Sequence, residues 1–292
     1  MPSSRENIRL LTSEDCPLIE RLLRTSEYIY QRFTLEELPS LLKHYPCVGF
    51  FHGSSLHGFL LAQGVNPPTA WIGGFGVSWT ESKAYRSILS RLLASLSIEL
   101  AACGVLFLHY SGNDAEQDWL RAVLLSHDFV PYRYLYSYDK FDYHIPAQGN
   151  QQVIVRPVDL SNPRGQDMRS LLAIEAVCFE DLWRYDSTAF TDILATHPYF
   201  VAAELNGQVV GYQFNAIDSD YGYLVRIAVH PAVNGQGIGV RLMAEAVNFF
   251  AQARVSRIML NTQQDNVRAH RLYEWFGFLR LEQMGFVLRK DL

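Results

Sequence analysis

Three glycines at alternate positions, Gly235, Gly237 and Gly239, stand between an apolar run at 224–229 and a helical apolar pattern at 240–250. Pro231 ends the run, because proline cannot donate to a strand ladder. Val240, Leu242, Met243, Ala246, Val247 and Phe250 then recur at helical spacing. A strand, a glycine loop and a helix start aim unpaired N–H groups and the positive end of the helix dipole at one spot. That spot suits a phosphate, and glycine lets the phosphate approach the backbone. The bland alternative is a tight strand-to-helix turn. Two common nucleotide loops fit badly. A dinucleotide fingerprint needs a further glycine at Val240 and an acidic residue about 20 positions on, where 257–260 are Arg-Ile-Met-Leu. A Walker loop needs Gly-Lys-Ser/Thr, and Gly239-Val240-Arg241 stands there instead.

Val229-x-Pro231 followed by Gly235-x-Gly237-x-Gly239 resembles the acetyl-CoA loop of the Gcn5-related N-acetyltransferases. That family usually has Arg or Gln where Asn234 stands. A second segment carries the same resemblance: Asn266, Ala269, Tyr273 and Gly277-Phe278 match its Asn…Ala…Tyr…Gly-Phe pattern. Asn266 is a good helix N-cap and Gly277 a good residue past the helix end. Ala269 and Tyr273, four apart, share a helix face. The resemblance implies that Asn234, Gly235, Gln236, Gly237, Ile238, Gly239 and Val240 hold the diphosphate of acetyl-CoA, the cosubstrate. It also implies that the backbone of Ile227, Ala228 and Val229 holds the pantetheine and thioester carbonyl. Asn266 and Ala269 then lie against CoA, and Tyr273 is the general acid that protonates the leaving thiolate. The competing reading of Tyr273 is one more buried aromatic beside Leu272 and Phe276. No base is assigned, since the places where relatives carry glutamate hold Tyr221, Tyr223, Arg226 and Asn261. Asp220, Glu175 and His230 remain as candidates, each read as a solvated surface or loop residue, and ordered water is an equal alternative. Cys178-Phe179-Glu180-Asp181-Leu182-Trp183 resembles the acceptor loop of ribosomal-protein alanine N-acetyltransferases, which hints at a peptide N-terminus.

The elements that must position these residues occur twice. In the first half, strands are expected at 8–11, 47–51, 56–62, 71–77, 105–109 and 132–138, with helices at 13–23, 35–42, 85–100 and 115–125. In the second, strands at 153–155, 200–204, 209–215, 224–229 and 258–260 alternate with helices at 168–179, 188–195, 240–250 and 266–276. The halves match at a spacing of about 150 residues, with Gly58 opposite Gly211 and 127–129 opposite 276–278. Residues 146–152, Pro-Ala-Gln-Gly-Asn-Gln-Gln, form a breaker-rich seam. The expected architecture is therefore α/β (α+β): two tandem acetyltransferase-like domains, each a mixed, mostly antiparallel sheet flanked by helices. Residues 1–146 form a degenerate copy without a cofactor loop, and 151–292 the acetyl-CoA-binding catalytic domain. Opposite the glycine loop the first half has 78–86, Ser-Trp-Thr-Glu-Ser-Lys-Ala-Tyr-Arg, whose side chains and Glu81 oppose a phosphate. Leu124 falls near the place of Tyr273.

Composition bounds the rest. Of 292 residues 49% are apolar and 19% charged, an ordinary globular balance. A net charge of −5 argues against nucleic acid as a partner. No apolar run is long enough to span a membrane, and 1–11 does not read as a secretory signal. Cys16, Cys47, Cys103 and Cys178 lack metal-site spacing, so no metal is expected and the thiols read as reduced and cytoplasmic. The expected activity is acetyl transfer from acetyl-CoA to a primary amine acceptor of a peptide or small molecule, by a monomer or homodimer. A CoA-sensing module without turnover is the alternative.

Overall fold

A computed structural model describes residues 6–113 and 119–292. The chain divides into two units: Met1–Arg133 with Phe286–Leu292, and Tyr134–Gly285. In chain order unit 1 contains β1 (Glu6–Leu10), α1 (Cys16–Arg24), β2 (Ser26–Gln31), α2 (Leu38–His44), β3 (Cys47–His52), β4 (Ser55–Asn66), β5 (Thr69–Ser78), α3 (Tyr85–Ala102), β6 (Phe107–Asn113), α4 (Trp119–Leu125) and the start of β7 (Val130–Lys140). The expected start of α4 at Ala115 lies outside the described residues. Its sheet runs β1-β3-β4-β5-β6, antiparallel except for β5–β6, with β2 laid on β5.

Unit 2 contains β8 (Ile154–Pro157), α5 (Gln166–Cys178), α6 (Ser187–Thr196), β9 (Tyr199–Leu205), β10 (Gln208–Asp218), β11 (Tyr221–Val229), α7 (Ile238–Ala253), β12 (Arg257–Gln263), α8 (Val267–Trp275) and most of β13 (Leu279–Asp291). Its sheet runs β8-β9-β10-β11-β12, and β12 then pairs with the latter part of β7, from Gln263↔Leu135 to Ile258↔Lys140. One sheet face is covered by α5 and α6 through Leu171, Ile174, Phe190, Tyr212 and Phe214. The other is covered by α7 and α8 through Met243, Val247, Phe250 and Phe276.

The duplication is visible in register. Gly58 faces Val77 as Gly211 faces Val229, and both strand pairs slip one residue at the same place, Leu61/Ala62 and Phe214/Asn215. Both units also share an ion pair. Arg9 is bidentate to Asp15 at 2.7 and 2.9 Å, and Arg156 to Asp167 at 2.7 and 2.8 Å. Each carboxylate also accepts the amide three residues past its arginine, Thr12 or Asp159, at 2.9 Å.

The units are not bounded as 1–146 and 151–292. The division falls inside two strands, after Arg133 in β7 and after Gly285 in β13, so the last strand of each half ends in the other unit. The seam at 146–152 is no free linker either. Gly149, at φ +70°, lies so close to α7 that a Cβ there would meet the Arg241 amide nitrogen at 2.3 Å. β2 and β13 are strands beyond those expected. β2 does alternate half-buried and exposed residues, but Ile29 falls on its exposed side between Tyr28 and Tyr30 and hides the two-residue period in the sequence; β13 alternates only in part.

Candidate active site

Unit 2 opens between two strands. β11 and β12 run parallel and pair only at Tyr221↔Arg257, Gly222↔Ile258 and Tyr223↔Met259, then part. The slip at Phe214/Asn215 turns β11 away at that level, as an extra residue bends and twists a strand. The cleft left behind is lined by Leu224, Val225, Arg226 and Ile227 from one strand and Asn261, Thr262 and Gln263 from the other. Leu135, Phe179, Trp183, Asn266 and Tyr273 complete it. From Leu224 onward one edge of β11 has no strand partner among the described residues, and it borders the cleft. Ile227 lines it, Ala228 is buried in the core behind it, and the Val229 carbonyl accepts the Cys178 thiol at 3.4 Å. Burial pushes that thiol up to about 11, so it keeps its proton and donates.

The glycine loop follows at the end of β11. Gly235 and Gly237 adopt φ +80° and +73°, a left-handed backbone that side chains disfavour. Gly239 starts α7 with room around it, since a Cβ there meets nothing closer than 3.7 Å. Among the described residues the amides of Gly235, Gln236, Gly237, Ile238, Gly239 and Val240 have no hydrogen-bond acceptor; the first amide bonded in this helix is Arg241, to the Gly237 carbonyl at 3.0 Å. The carbonyls are held from behind. Asn150 donates its side-chain amide to the Gln236 carbonyl at 3.0 Å and its backbone amide to the Gly237 carbonyl at 3.2 Å. A run of orphan amides at a helix N-terminus, with no carboxylate in the loop, is a nest for an anion of diphosphate size. Asn234 is exposed at its mouth.

Tyr273 reaches the cleft from α8. Asn266 caps this helix by accepting the Ala269 amide at 3.3 Å. Gly277, at φ +80°, ends it: the Phe278 amide bonds the Tyr273 carbonyl and the Gly277 amide the Glu274 carbonyl, both at 3.0 Å. Tyr138 and Phe278 pack on the Tyr273 ring with centroids at 5.7 and 6.1 Å. The hydroxyl makes no hydrogen bond among the described residues. Burial, reinforced by Tyr138 and Tyr223, raises its pKa well above that of an ordinary phenol, so it holds its proton.

Of the candidate bases, Glu175 departs from expectation, while Asp220 and His230 are the turn and loop residues expected. Glu175 is not solvated but 1% exposed, and its carboxylate is fully engaged. It accepts Arg226 at 2.8 and 2.9 Å, the Tyr185 amide at 2.7 Å and the Tyr212 hydroxyl. Asp220 sits in an exposed turn and accepts Ser256 at 2.8 Å, at the paired end of β11. His230 accepts the Ala232 amide at 3.2 Å and lines a separate hollow with Gln166 and Ser170. Among the described residues the only ionisable side chains lining the cleft are thus Arg226 and Tyr273. Arg226 is locked as well: Phe179 and Tyr185 sandwich its guanidinium at 4.0 Å each, and the Trp183 carbonyl accepts from it at 2.8 Å. The Glu175–Arg226–Tyr212 network fixes this wall of the cleft, and no local pattern of residues marks it.

Residues 166–278 match the family model described as Acetyltransferase (GNAT) family. An N-alpha-acetyltransferase RimI of Mycobacterium tuberculosis is 33% identical over 132 residues, 43% of this chain and 80% of that protein. A Bacillus subtilis protein, whose name proposes a ribosomal protein bS18–alanine N-acetyltransferase, is 31% identical over 118 residues, 40% of this chain and 77% of its own length. The chain belongs to the GNAT family of N-acetyltransferases. A tandem GNAT protein from the clavulanic acid biosynthesis pathway shares the fold at TM-score 0.65 and 12% identity, over 98% of both chains. Among the described residues no helix is long and apolar enough to cross a membrane.

Proposed function

We propose that unit 2 transfers the acetyl group of acetyl-CoA to the free α-amine of a peptide. The observation that carries this reading is the nest of six consecutive unbonded amides, Gly235 to Val240, at the mouth of a strand cleft. The nest takes the diphosphate. The unpaired edge of β11 at Ile227, Ala228 and Val229 takes the pantetheine arm, Asn266 and Ala269 flank it, and Tyr273 donates to the departing thiolate. Unit 1 takes no second acetyl-CoA, because the short turn Trp79–Ala84 stands where the glycine loop stands in unit 2.

The class of amine follows from the missing base. Among the described residues no carboxylate or free imidazole lines the cleft, so the acceptor reacts through the fraction that arrives already uncharged. At pH 7.5 an α-amine, with pKa 7.7–8.0, is roughly a third neutral, whereas a lysine side chain near 10.4 is only about 0.1% neutral. That difference, on the order of a few hundred-fold, favours an N-terminus. The names of the relatives point the same way. The test is CoA release and peptide mass with two peptides of otherwise equal sequence. One has a free α-amine and no lysine; the other has a blocked N-terminus and one lysine. Faster acetylation of the first supports the reading, and equal rates or a preference for lysine overturn it.

A further inference from the structure

In unit 1 the corner that faces the start of α3 is built from ionisable side chains. His52 ends β3, His57 lies in β4, and Glu81 sits on the turn Trp79–Ala84. One ligand atom of each falls within 4.8 Å of the others, the one such group among the described residues. His52 Nδ1 and His57 Nδ1 stand 3.7 and 3.6 Å from Glu81 Oε1, too far for hydrogen bonds. The other nitrogen of His52 is 3.4 Å from Glu6 Oε1, and Glu6 is in turn held by Arg91 at 2.6 Å. His57 Nδ1 and His52 Nε2 are buried and make no well-directed hydrogen bond.

Unit 2 shows what the same corner needs for folding alone. The shared register Gly58↔Val77 and Gly211↔Val229 sets the correspondence. His57 is the residue passed over between Phe50↔Gly58 and Phe51↔Leu56; Val210 is passed over in the same way between Val209↔Glu204 and Gly211↔Ala203. His52 then matches Leu205. Glu6, paired with His52, matches Val153, one step beyond Ile154↔Glu204. Glu81, fourth after Val77, matches Val233, fourth after Val229. All four counterparts belong to one apolar cluster, with Val153 and Val210 buried and Leu205 and Val233 packed against them. Unit 1 therefore replaces a self-sufficient apolar corner with two imidazoles and two carboxylates. The replacements by His52, His57 and Glu81 lose apolar burial and half-bury polar groups, while Glu6 stays exposed.

We propose that unit 1 binds a zinc-class divalent cation between His52 Nδ1, His57 Nδ1 and the Glu81 carboxylate. Ligands at about 2.0–2.2 Å on a tetrahedral ion lie about 3.3–3.6 Å from one another; the two histidine–Glu81 separations, 3.7 and 3.6 Å, are close to that, and the three ligand atoms all lie within 4.8 Å of one another. Two imidazoles and a carboxylate suit a borderline ion. Glu6 Oε1, 3.4 Å from His52 Nε2, stands where it would accept that N–H once the ring turns onto the ion, as an outer carboxylate orients a ligating histidine. With neutral imidazoles, Glu6 and Glu81 against Arg91 leave one negative charge to meet the cation. The ion holds the β3–β4 hairpin to the turn before α3, the task of the apolar cluster in unit 2. Unlike a Cys-x-x-Cys pattern, these ligands come from three separate elements.

The test uses the full chain, Zn2+ by calorimetry and Co2+ by visible absorption. The comparison is a variant carrying the apolar set of unit 2, His52→Leu/His57→Val/Glu81→Val. The expected result is a single tight equivalent in the parent, absent from the variant, with tetrahedral Co2+ bands and no sulfur-to-cobalt charge-transfer band. Should that variant fail to fold, Glu6→Gln serves, with zinc affinity expected to fall about 10- to 100-fold. A merely structural corner leaves zinc affinity unmoved by either change. Equal binding by parent and variant, no binding by the parent, an unmoved affinity in Glu6→Gln, or a thiolate band overturns the proposal.

Discussion

Replacing Tyr273 by Phe removes one oxygen and nothing else. The ring keeps its contacts with Tyr138 and Phe278. Because the hydroxyl bonds to no described residue, its loss strands no partner, the usual source of a large penalty. Stability should therefore hold or rise slightly, and the Michaelis constant for acetyl-CoA should stay near the parental value. Turnover should fall, because the lost proton donor matters only as the thiolate departs. General acid catalysis contributes about 10²–10⁴-fold. CoA thiolate leaves fairly well, so the lower end is expected, about 100-fold or about 2.7 kcal/mol of transition-state stabilisation. Since burial raises the Tyr273 pKa, the parent should also show no loss of rate from phenol ionisation as pH rises through 9. Thiol release at saturating substrates and a melting curve together decide the matter. Parental turnover across the pH range makes Tyr273 a packing residue, and a fall in melting temperature that tracks the fall in rate refutes the separation argued here.

Asn150→Ala removes a side-chain hydrogen bond from behind the loop, so CoA affinity by calorimetry should weaken about 2- to 10-fold with saturated turnover little changed; an unchanged affinity would count against loop positioning. Glu175→Gln leaves Arg226 buried without its counter-charge and should lower unfolding free energy by about 3–5 kcal/mol in denaturant titration, whereas a loss under 1 kcal/mol would mean the pair relaxes into solvent. The Arg156 guanidinium holds the Asp167 carboxyl below the usual carboxylate range. Its contribution is complete above the unfolded value of about 3.9 and is lost as pH falls through the folded one, so acid should cost the parent more stability than Asp167→Asn over that window. A fragment 151–292 lacks Tyr134–Lys140, the partner of β12, and should self-associate through that open edge in size-exclusion chromatography; a well-folded monomer would refute the strand assignment.

The parts of the site that repeat a local pattern were readable. A glycine loop needs positive φ at Gly235 and Gly237, and a helix end needs Asn266 and Gly277; short-range backbone sterics force both. Register was readable too, because Gly58 and Gly211 mark equivalent positions in equivalent strands. Long-range partnership was not. Glu175 has no arginine three or four positions away on its helix, where Arg169 instead bonds the Arg164 carbonyl, and its partner Arg226 is fifty-one positions away. Nothing in a lone glutamate distinguishes a solvated carboxylate from a paired one.

The strand exchange was hidden for a related reason. A strand's own residues specify which face is buried, through the two-residue period, but not which strand it joins. Tyr134–Lys140 would pair as readily with a sheet of its own half as with β12, since a ladder is made by backbone groups common to every residue. The choice is set by where the chain can reach, and the breaker-rich seam suggested a boundary that compactness does not respect. Gly149 and Asn150 are in that seam because they must lie against α7 and the Gln236 and Gly237 carbonyls, so their small and polar character serves the loop rather than a hinge. Composition of this kind marks a place where backbone approaches backbone. In this chain it marks the back wall of the glycine loop.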